Sequence, residues 1–211
     1  MSILQEISAL LQKGRMKEVS ASVQKALSEG FSAKDVLEQG LIAGMDVVGE
    51  KFKNNEVYVP DVLIAARAMY AGMDLLKPLL AESGVQSAGT VVIGTCKGDL
   101  HDIGKNLVKM MMEGKGLTIV DLGVDVSADD FVKAAIEKNA KIIACSALLT
   151  TTMGEMKNVV DKAVEAGIRD KVTIMVGGAP VNDNYCKSIG ADVYTPDAAS
   201  AADAALAACK Q

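Results

Sequence analysis

Thr90-Val91-Val92-Ile93-Gly94-Thr95-Cys96 runs through Lys97 into Gly98-Asp99-Leu100-His101-Asp102-Ile103-Gly104. The first segment is short, apolar and rich in β-branched residues, which reads as a buried strand. The second is polar and flanked by glycines, and it opens a helical pattern over Ile103–Glu113. Strand, loop and helix in that order place the loop at the carboxyl edge of a sheet, where open α/β folds bind ligands. The loop carries the single histidine among 211 residues. Asp99, two positions upstream, can accept a proton from one ring nitrogen while the other binds a metal; that fixes the tautomer and raises ligand basicity. The alternative is a surface-loop histidine with an incidental carboxylate neighbour, because Asp-x-His alone is a short pattern.

Outward from this loop the pattern repeats. Strands are expected at Thr90–Cys96, Leu117–Leu122, Lys141–Leu148, Val172–Val176 and Asp192–Tyr194. Helices are expected near Ile103–Glu113, Ala128–Lys138, Met153–Ala166, Asn182–Ser188 and Ala198–Lys210. Alternating strands and helices imply right-handed crossovers and a parallel sheet covered on both faces. The expectation is a doubly wound, five-stranded α/β domain over residues 90–211, Rossmann-like or flavodoxin-like.

Upstream the period changes to that of helices. Ile3, Leu4, Ile7, Leu10 and Leu11 share one face, and Gly14 stops that helix. Met16, Val19, Val23 and Leu27 mark a second helix, ended by Gly30. Ser32 is a candidate N-cap, with Asp35 in place of the usual Glu of a capping box. The third helix then carries Val36, Leu37, Leu41, Met45, Val48 and Phe52, until Asn54-Asn55 breaks it. Pro60 suits the first turn of a fourth helix with Val62, Leu63, Ala66, Met69, Met73 and Leu76. Residues 1–83 are thus expected to form a four-helix bundle. Residues 84–89, small and polar, read as a linker.

Half of the residues are hydrophobic but only 3% are aromatic, and Trp is absent, so the cores must be aliphatic. The formal net charge is −5 with no basic cluster, which argues against nucleic acid or an anionic membrane as a partner. Cys96, Cys145, Cys186 and Cys209 form no C-x-x-C pair and read as buried thiols of a reducing cytosol, not as a disulfide framework or zinc site. No basic leader or membrane-length apolar stretch is evident, and a cytoplasmic protein is expected.

Several strands end in small or hydroxyl residues: Gly98 after the first, Ser146 and Thr150-Thr151-Thr152 after the third, Gly177-Gly178 after the fourth. Each alone is ordinary turn chemistry. Together they leave a sheet edge open to a bulky ligand inserted between strands and helices. The G-x-G-x-x-G and P-loop fingerprints are absent.

Asp99-x-His101-x-x-Gly104, then Ser146-Ala147-Leu148, then Gly177-Gly178 resembles the cobalamin-binding signature D-x-H-x-x-G, S-x-L, G-G. Residues 44–52 with Val57-Tyr58-Val59-Pro60 resemble the helical cap that precedes this domain in methionine synthase and in the small corrinoid proteins of methylotrophic methyltransferase systems. Glu38 falls where that cap carries a cofactor-contacting glutamate. The resemblance covers nearly the whole chain. One departure is Tyr58-Val59-Pro60, where the family often reads Phe-Leu-Pro; the shorter Val59 implies a looser lid or one shaped for a different partner.

The resemblance implies a corrinoid bound base-off and His-on, with His101 as lower cobalt ligand, Asp99 accepting its other N–H, and Thr152 as the hydroxyl that bonds this carboxylate. It implies that Gly98, Leu100, Asp102, Ile103 and Gly104 lie close to the corrin and nucleotide. Ser146, Leu148, Thr150, Gly177, Gly178 and Ala198 would then line the buried tail. Phe52 and Val59 are either core residues of the bundle or an apolar lid that shields a nucleophilic Co(I). The implied activity is that of a methyl carrier, not a complete enzyme: Co(I) accepts a methyl group from a substrate-specific methyltransferase, and methyl-Co(III), the methylcobalamin state, yields it to a second one acting on tetrahydrofolate or coenzyme M. A corrinoid reductive-activation protein is a further implied partner. The competing assignments are the small subunit of an adenosylcobalamin mutase, whose cofactor is covered by a barrel rather than a helical cap, and a cobalamin-dependent regulator or light sensor, which needs an output module.

Overall fold

A computed structural model describes residues 2–83 and 87–210. The chain divides into two compact units, Met1–Gln86 with Gly114–Gly116, and Ser87–Glu113 with Leu117–Gln211. Of the expected linker, residues 84–86 lie outside the described residues.

The first unit is helical: α1 Ile3–Gln12, α2 Met16–Ser28, α3 Ala33–Asp35, a π-helical stretch Val36–Ile42, α4 Ala43–Lys53 and α5 Val59–Ser83. Ser2 closes a full capping box with Gln5. Gly14 and Gly30, at φ 66° and 91°, end α1 and α2 in a left-handed conformation that glycine adopts without a Cβ penalty. Ile7, Leu11, Val19, Val23, Leu41 and Leu76 are fully buried and form the aliphatic core.

The third helix departs from expectation. Its middle is wound as a π-helix, not an α-helix. The sequence spacing shows why: Val36 and Leu41 are five apart, yet both are fully buried. An i→i+5 winding keeps both on the inner face. The Ser32 cap forms, with its hydroxyl oxygen 3.0 Å from the Asp35 N–H. Asp35 takes the Ser32 hydroxyl at 2.5 Å, since its side chain is shorter than that of Glu.

The second unit alternates β1 Thr90–Thr95, α6 Ile103–Gly114, β2 Thr118–Asp121, α7 Ala128–Glu137, β3 Ile142–Ser146, α8 Gly154–Glu165, β4 Thr173–Gly177, α9 Asp183–Ser188, β5 Val193–Tyr194 and α10 Ala198–Cys209. The five strands are parallel in the order β2-β1-β3-β4-β5, which settles the choice for the flavodoxin-like order. Val92, Ile143, Cys145, Ile174 and Val176 pack on one face with Phe131 of α7 and Met156 and Val159 of α8. The alternate residues Val91, Ile93, Ile142, Ala144 and Met175 are buried as well, so both faces are covered. Gly94 makes room for Phe131: a Cβ there would lie 2.8 Å from the ring's Cζ.

β3 stops at Ser146 rather than at the expected Leu148. Ala147 still donates to the Gly177 carbonyl at 3.1 Å. The next two amides then turn out of the sheet toward a side chain in the β1 loop.

Candidate functional site

The strand order reverses between β1 and β3, and the loops after these strands meet there. Crevices of this kind hold ligands in open α/β sheets. The β1 loop brings His101 and Asp99; the β3 loop brings Leu148, Leu149 and Thr152.

Asp99 is the centre of the arrangement. It is wholly buried, whereas the His101 side chain is 52% exposed. Its Oδ1 lies 2.7 Å from His101 Nδ1 and accepts the His101 N–H at 3.1 Å. Its Oδ2 accepts the backbone N–H of Leu148 at 2.8 Å and of Leu149 at 3.1 Å. The Thr152 hydroxyl, 2.9 Å from both Oδ2 and the Leu149 carbonyl, completes the set. Burial by itself raises the carboxyl pKa, but the bonds from His101, Leu148 and Leu149 overcome it and hold Asp99 well below the usual carboxylate range. An ionised Asp99 can only accept. Nδ1 of His101 therefore carries a proton, and Nε2 is the ring nitrogen left for a partner.

The surroundings of His101 are apolar and open. Leu100, Ile103, Leu148 and Leu149 are exposed by 71%, 79%, 45% and 41%. Exposed aliphatic side chains around one imidazole suit a large, flat, mostly apolar group more than a hydrated ion. Among the described residues, nothing lies within 4 Å of where a Cβ of Gly104 or Gly177 would sit. No group of three or more His, Cys, Asp and Glu able to hold a metal occurs among the described residues. A metal at His101 would thus bring most of its ligands with it, as a macrocycle does. The donor set fits a corrinoid.

The remaining expected residues distribute as follows. Gly98 takes φ 81° at the turn into the loop. Asp102 caps α6, its carbonyl accepting Asn106 N–H at 2.7 Å and its carboxylate the Asn106 amide at 3.0 Å. Ser146 is half-buried and Thr150 exposed on the β3 side. Gly178, at φ 133°, is pressed against β3: a Cβ would fall 1.8 Å from the Ala147 carbonyl oxygen. Ala198 is buried at the start of α10, behind the Asp197 cap. In the helical unit, Glu38 lies on the π-helical stretch and is exposed, 3.9 Å from Lys34. Phe52 and Val59 are half-buried and stand outside that unit's fully buried core.

Further groups escaped the sequence reading. Lys105, almost fully buried in the first turn of α6, pairs with Asp121 at 2.6 Å; Lys109 pairs with the same carboxylate at 3.0 Å. Burial raises the Asp121 pKa, but the Lys105 bond, the Gly123 N–H and Lys109 bring it down to about 2. Thr95 and Asp125 bond the backbone of the His101 loop. A polar residue ending an otherwise apolar strand was the available signal for Thr95. Asp125 and the Leu149 amide carry no signal in one sequence, since their partners are backbone groups.

Comparison with known proteins follows the same division. A family model described as a B12 binding domain matches residues 89–206, and a second, also described as a B12 binding domain, matches residues 3–77. The chain is 46% identical to a trimethylamine corrinoid protein of Methanosarcina acetivorans over 84% of each chain. It is 41% identical to a dimethylamine corrinoid protein of Methanosarcina barkeri, over 94% of this chain and 93% of that one. The methanol:cobalamin methyltransferase complex MtaBC of Methanosarcina barkeri contains a chain that superimposes with a TM-score of 0.86 at 32% identity, covering 97% of this chain and 80% of that chain.

Proposed function

The chain belongs to the B12-binding domain family, and from that membership we propose that it is a corrinoid methyl carrier, receiving a methyl group from one methyltransferase and yielding it to a second. The observation that carries this reading is the Thr152–Asp99–His101 relay, which orients an exposed imidazole through Nδ1 and leaves Nε2 outside the relay. The bound corrinoid supplies a cobalt centre that accepts and releases the methyl group.

The chain's residues supply the rest. His101 is assigned as the lower ligand in a base-off, His-on cofactor. Asp99 holds the Nδ1 proton and so keeps the imidazole in the tautomer that can donate from Nε2. Thr152 and the Leu148 and Leu149 amides keep Asp99 ionised in this role. Gly98, Leu100, Asp102, Ile103 and Gly104 are assigned to the ring side, and Ser146, Leu148, Thr150, Gly177, Gly178 and Ala198 to the nucleotide tail. Glu38, Phe52 and Val59 of the helical unit are assigned to cofactor contact through the family resemblance, Phe52 and Val59 as water-excluding groups.

The names of the relatives support a methylated amine or methanol as donor, chosen by the partner methyltransferase. Tetrahydrofolate or coenzyme M is the proposed acceptor, and a reductive-activation protein would return oxidised cofactor to service. Among the described residues no helix is long and apolar enough to cross a membrane; a cytoplasmic carrier is proposed.

The test is reconstitution with hydroxocobalamin and reduction, followed by a methyl donor with its cognate methyltransferase. Visible spectra should show methylation of the bound cofactor. A protein that stays colourless, or one that turns over adenosylcobalamin instead, would sink the carrier reading.

A further inference from the structure

The Asp99 carboxylate orients the imidazole ring and accepts the His101 backbone N–H, but it leaves the His101 carbonyl and the backbone of Gly98 and of Asp99 itself to other groups. That backbone is held from two other directions. Thr95, the last residue of β1, is completely buried. Its hydroxyl donates to the His101 carbonyl at 2.9 Å. Its own N–H and carbonyl are engaged by the β2–α7 loop, through Gly123 O and Val126 N–H, each at 2.9 Å. From that loop, Asp125 makes a reciprocal pair with the His101 loop. Its carboxylate accepts the Gly98 N–H at 2.7 Å, and its N–H donates to the Asp99 carbonyl at 3.0 Å. Asp125 takes φ 55° to do so, a left-handed conformation that Asp and Asn tolerate better than most residues. Gly98 and Asp99 are thus pinned to the β2–α7 loop, and His101 to the end of β1, by groups that lie outside the D-x-H-x-x-G pattern.

We propose that Thr95 and Asp125 are positioning residues for His101: together they fix the backbone of the loop so that the imidazole has one reach from the sheet edge. The chemistry favours this over a general structural role. Buried Thr95 could be Val at no loss of volume, and a loop end needs no left-handed Asp. What both side chains add is a directed bond to the backbone of the segment that carries His101 and Asp99. A ligand whose bond to a metal forms and breaks gains from such a frame, because each return to the same position then costs little reordering.

The proposal rests on the assignment of His101 as lower ligand, and the test separates the two. Thr95→Val, Thr95→Ser, Asp125→Gly and Asp125→Asn are made in the full chain. Asp125→Gly removes the carboxylate acceptor while relieving the backbone; Asp125→Asn keeps an acceptor and the left-handed preference. Each variant is loaded with hydroxocobalamin and reduced to Co(II), and nitrogen splitting in the electron paramagnetic resonance spectrum measures the His-on fraction. In parallel, amide exchange of Gly98 and the His101 Nδ1–H resonance are followed in the cofactor-free protein. Thr95→Val and Asp125→Gly should each lower the His-on equilibrium constant about fivefold, the value of one net hydrogen bond. Asp125→Gly should also speed Gly98 exchange. Thr95→Ser and Asp125→Asn should stay within about twofold of wild type. Wild-type His-on fractions in folded Thr95→Val and Asp125→Gly overturn the proposal. Should Thr95→Val not fold, Asp125→Gly, altered on the exposed side, decides alone. A wild-type protein that shows no His-on signal refutes the ligand assignment; the exchange and resonance data then judge the frame, which falls if Gly98 and His101 behave identically in wild type and Asp125→Gly.

Discussion

The Thr152 hydroxyl reaches Asp99 Oδ2 at 2.9 Å across 53 positions of sequence, and both side chains are buried. Its bond is one of five that converge on that carboxylate, and the one contributed by a removable side chain on another loop. Thr152→Val should leave Oδ2 with its two backbone donors and a less stabilised buried charge on Asp99. The expected cost is about 1–2 kcal/mol of stability, read from urea midpoints at neutral pH. The reconstituted variant should also show a smaller His-on fraction, because Asp99 is held less firmly; an unchanged fraction removes Thr152 from the relay.

His101→Ala should fold as wild type, since the ring is half-exposed and its loss leaves Asp99 with three donors on Oδ2. The variant can retain corrinoid through the tail but should lose the His-on spectrum. A spectrum identical to wild type would refute the ligand assignment.

Acid should weaken the fold through Asp99 and Asp121. Both carboxyl groups titrate lower in the folded chain than unfolded, Asp121 at about 2 against 3.8. Groups with depressed folded pKa values contribute stability that is present above the unfolded pKa and is lost as pH falls through the folded one. For Asp121 the window is therefore from about pH 4 down to about pH 2, worth roughly 1–2 kcal/mol once partial exposure is allowed for. Asp121→Asn should flatten this part of the stability curve, read as urea midpoints across the same range.

Gly177 and Gly178 should respond differently to Ala. At Gly178 the added carbon would collide with the Ala147 carbonyl in a backbone conformation unfavourable to side chains, so the variant should lose about 2 kcal/mol or more. At Gly177 the space is open, so stability should stay within about 0.5 kcal/mol while corrinoid affinity falls. Thermal melts and spectrophotometric titration with hydroxocobalamin separate the two. Unimpaired binding by Gly177→Ala would remove this edge from the tail site.

Phe52→Ala should change the stability of the helical unit little, because Phe52 is half-buried and outside the set of fully buried side chains. Bound methylcobalamin should photolyse and oxidise faster. Rates equal to wild type would mark Phe52 as a packing residue.

Much of the fold was readable locally. Val91–Thr95 and Ile142–Ser146 are apolar β-branched runs that end in glycine or hydroxyl residues, and the left-handed Gly14 and Gly30 sit where the helical period stops. The π-helical turn was present only as a five-residue gap between Val36 and Leu41, which an α-helical template absorbs as noise. The early end of β3 was not readable, because Leu148 and Leu149 are strand-like side chains whose amides are claimed by Asp99 from another loop.

The sequence by itself determined the order of helices and strands and placed Asp99 within reach of His101, since both rest on neighbours a few residues apart. Tertiary structure alone decided that β1 lies between β2 and β3, and hence that the loops holding Thr152 and Asp125 converge on Asp99 and Gly98. Bonds to backbone amides and carbonyls leave no trace in residue type, so the frame around the imidazole could be seen only once the chain was folded.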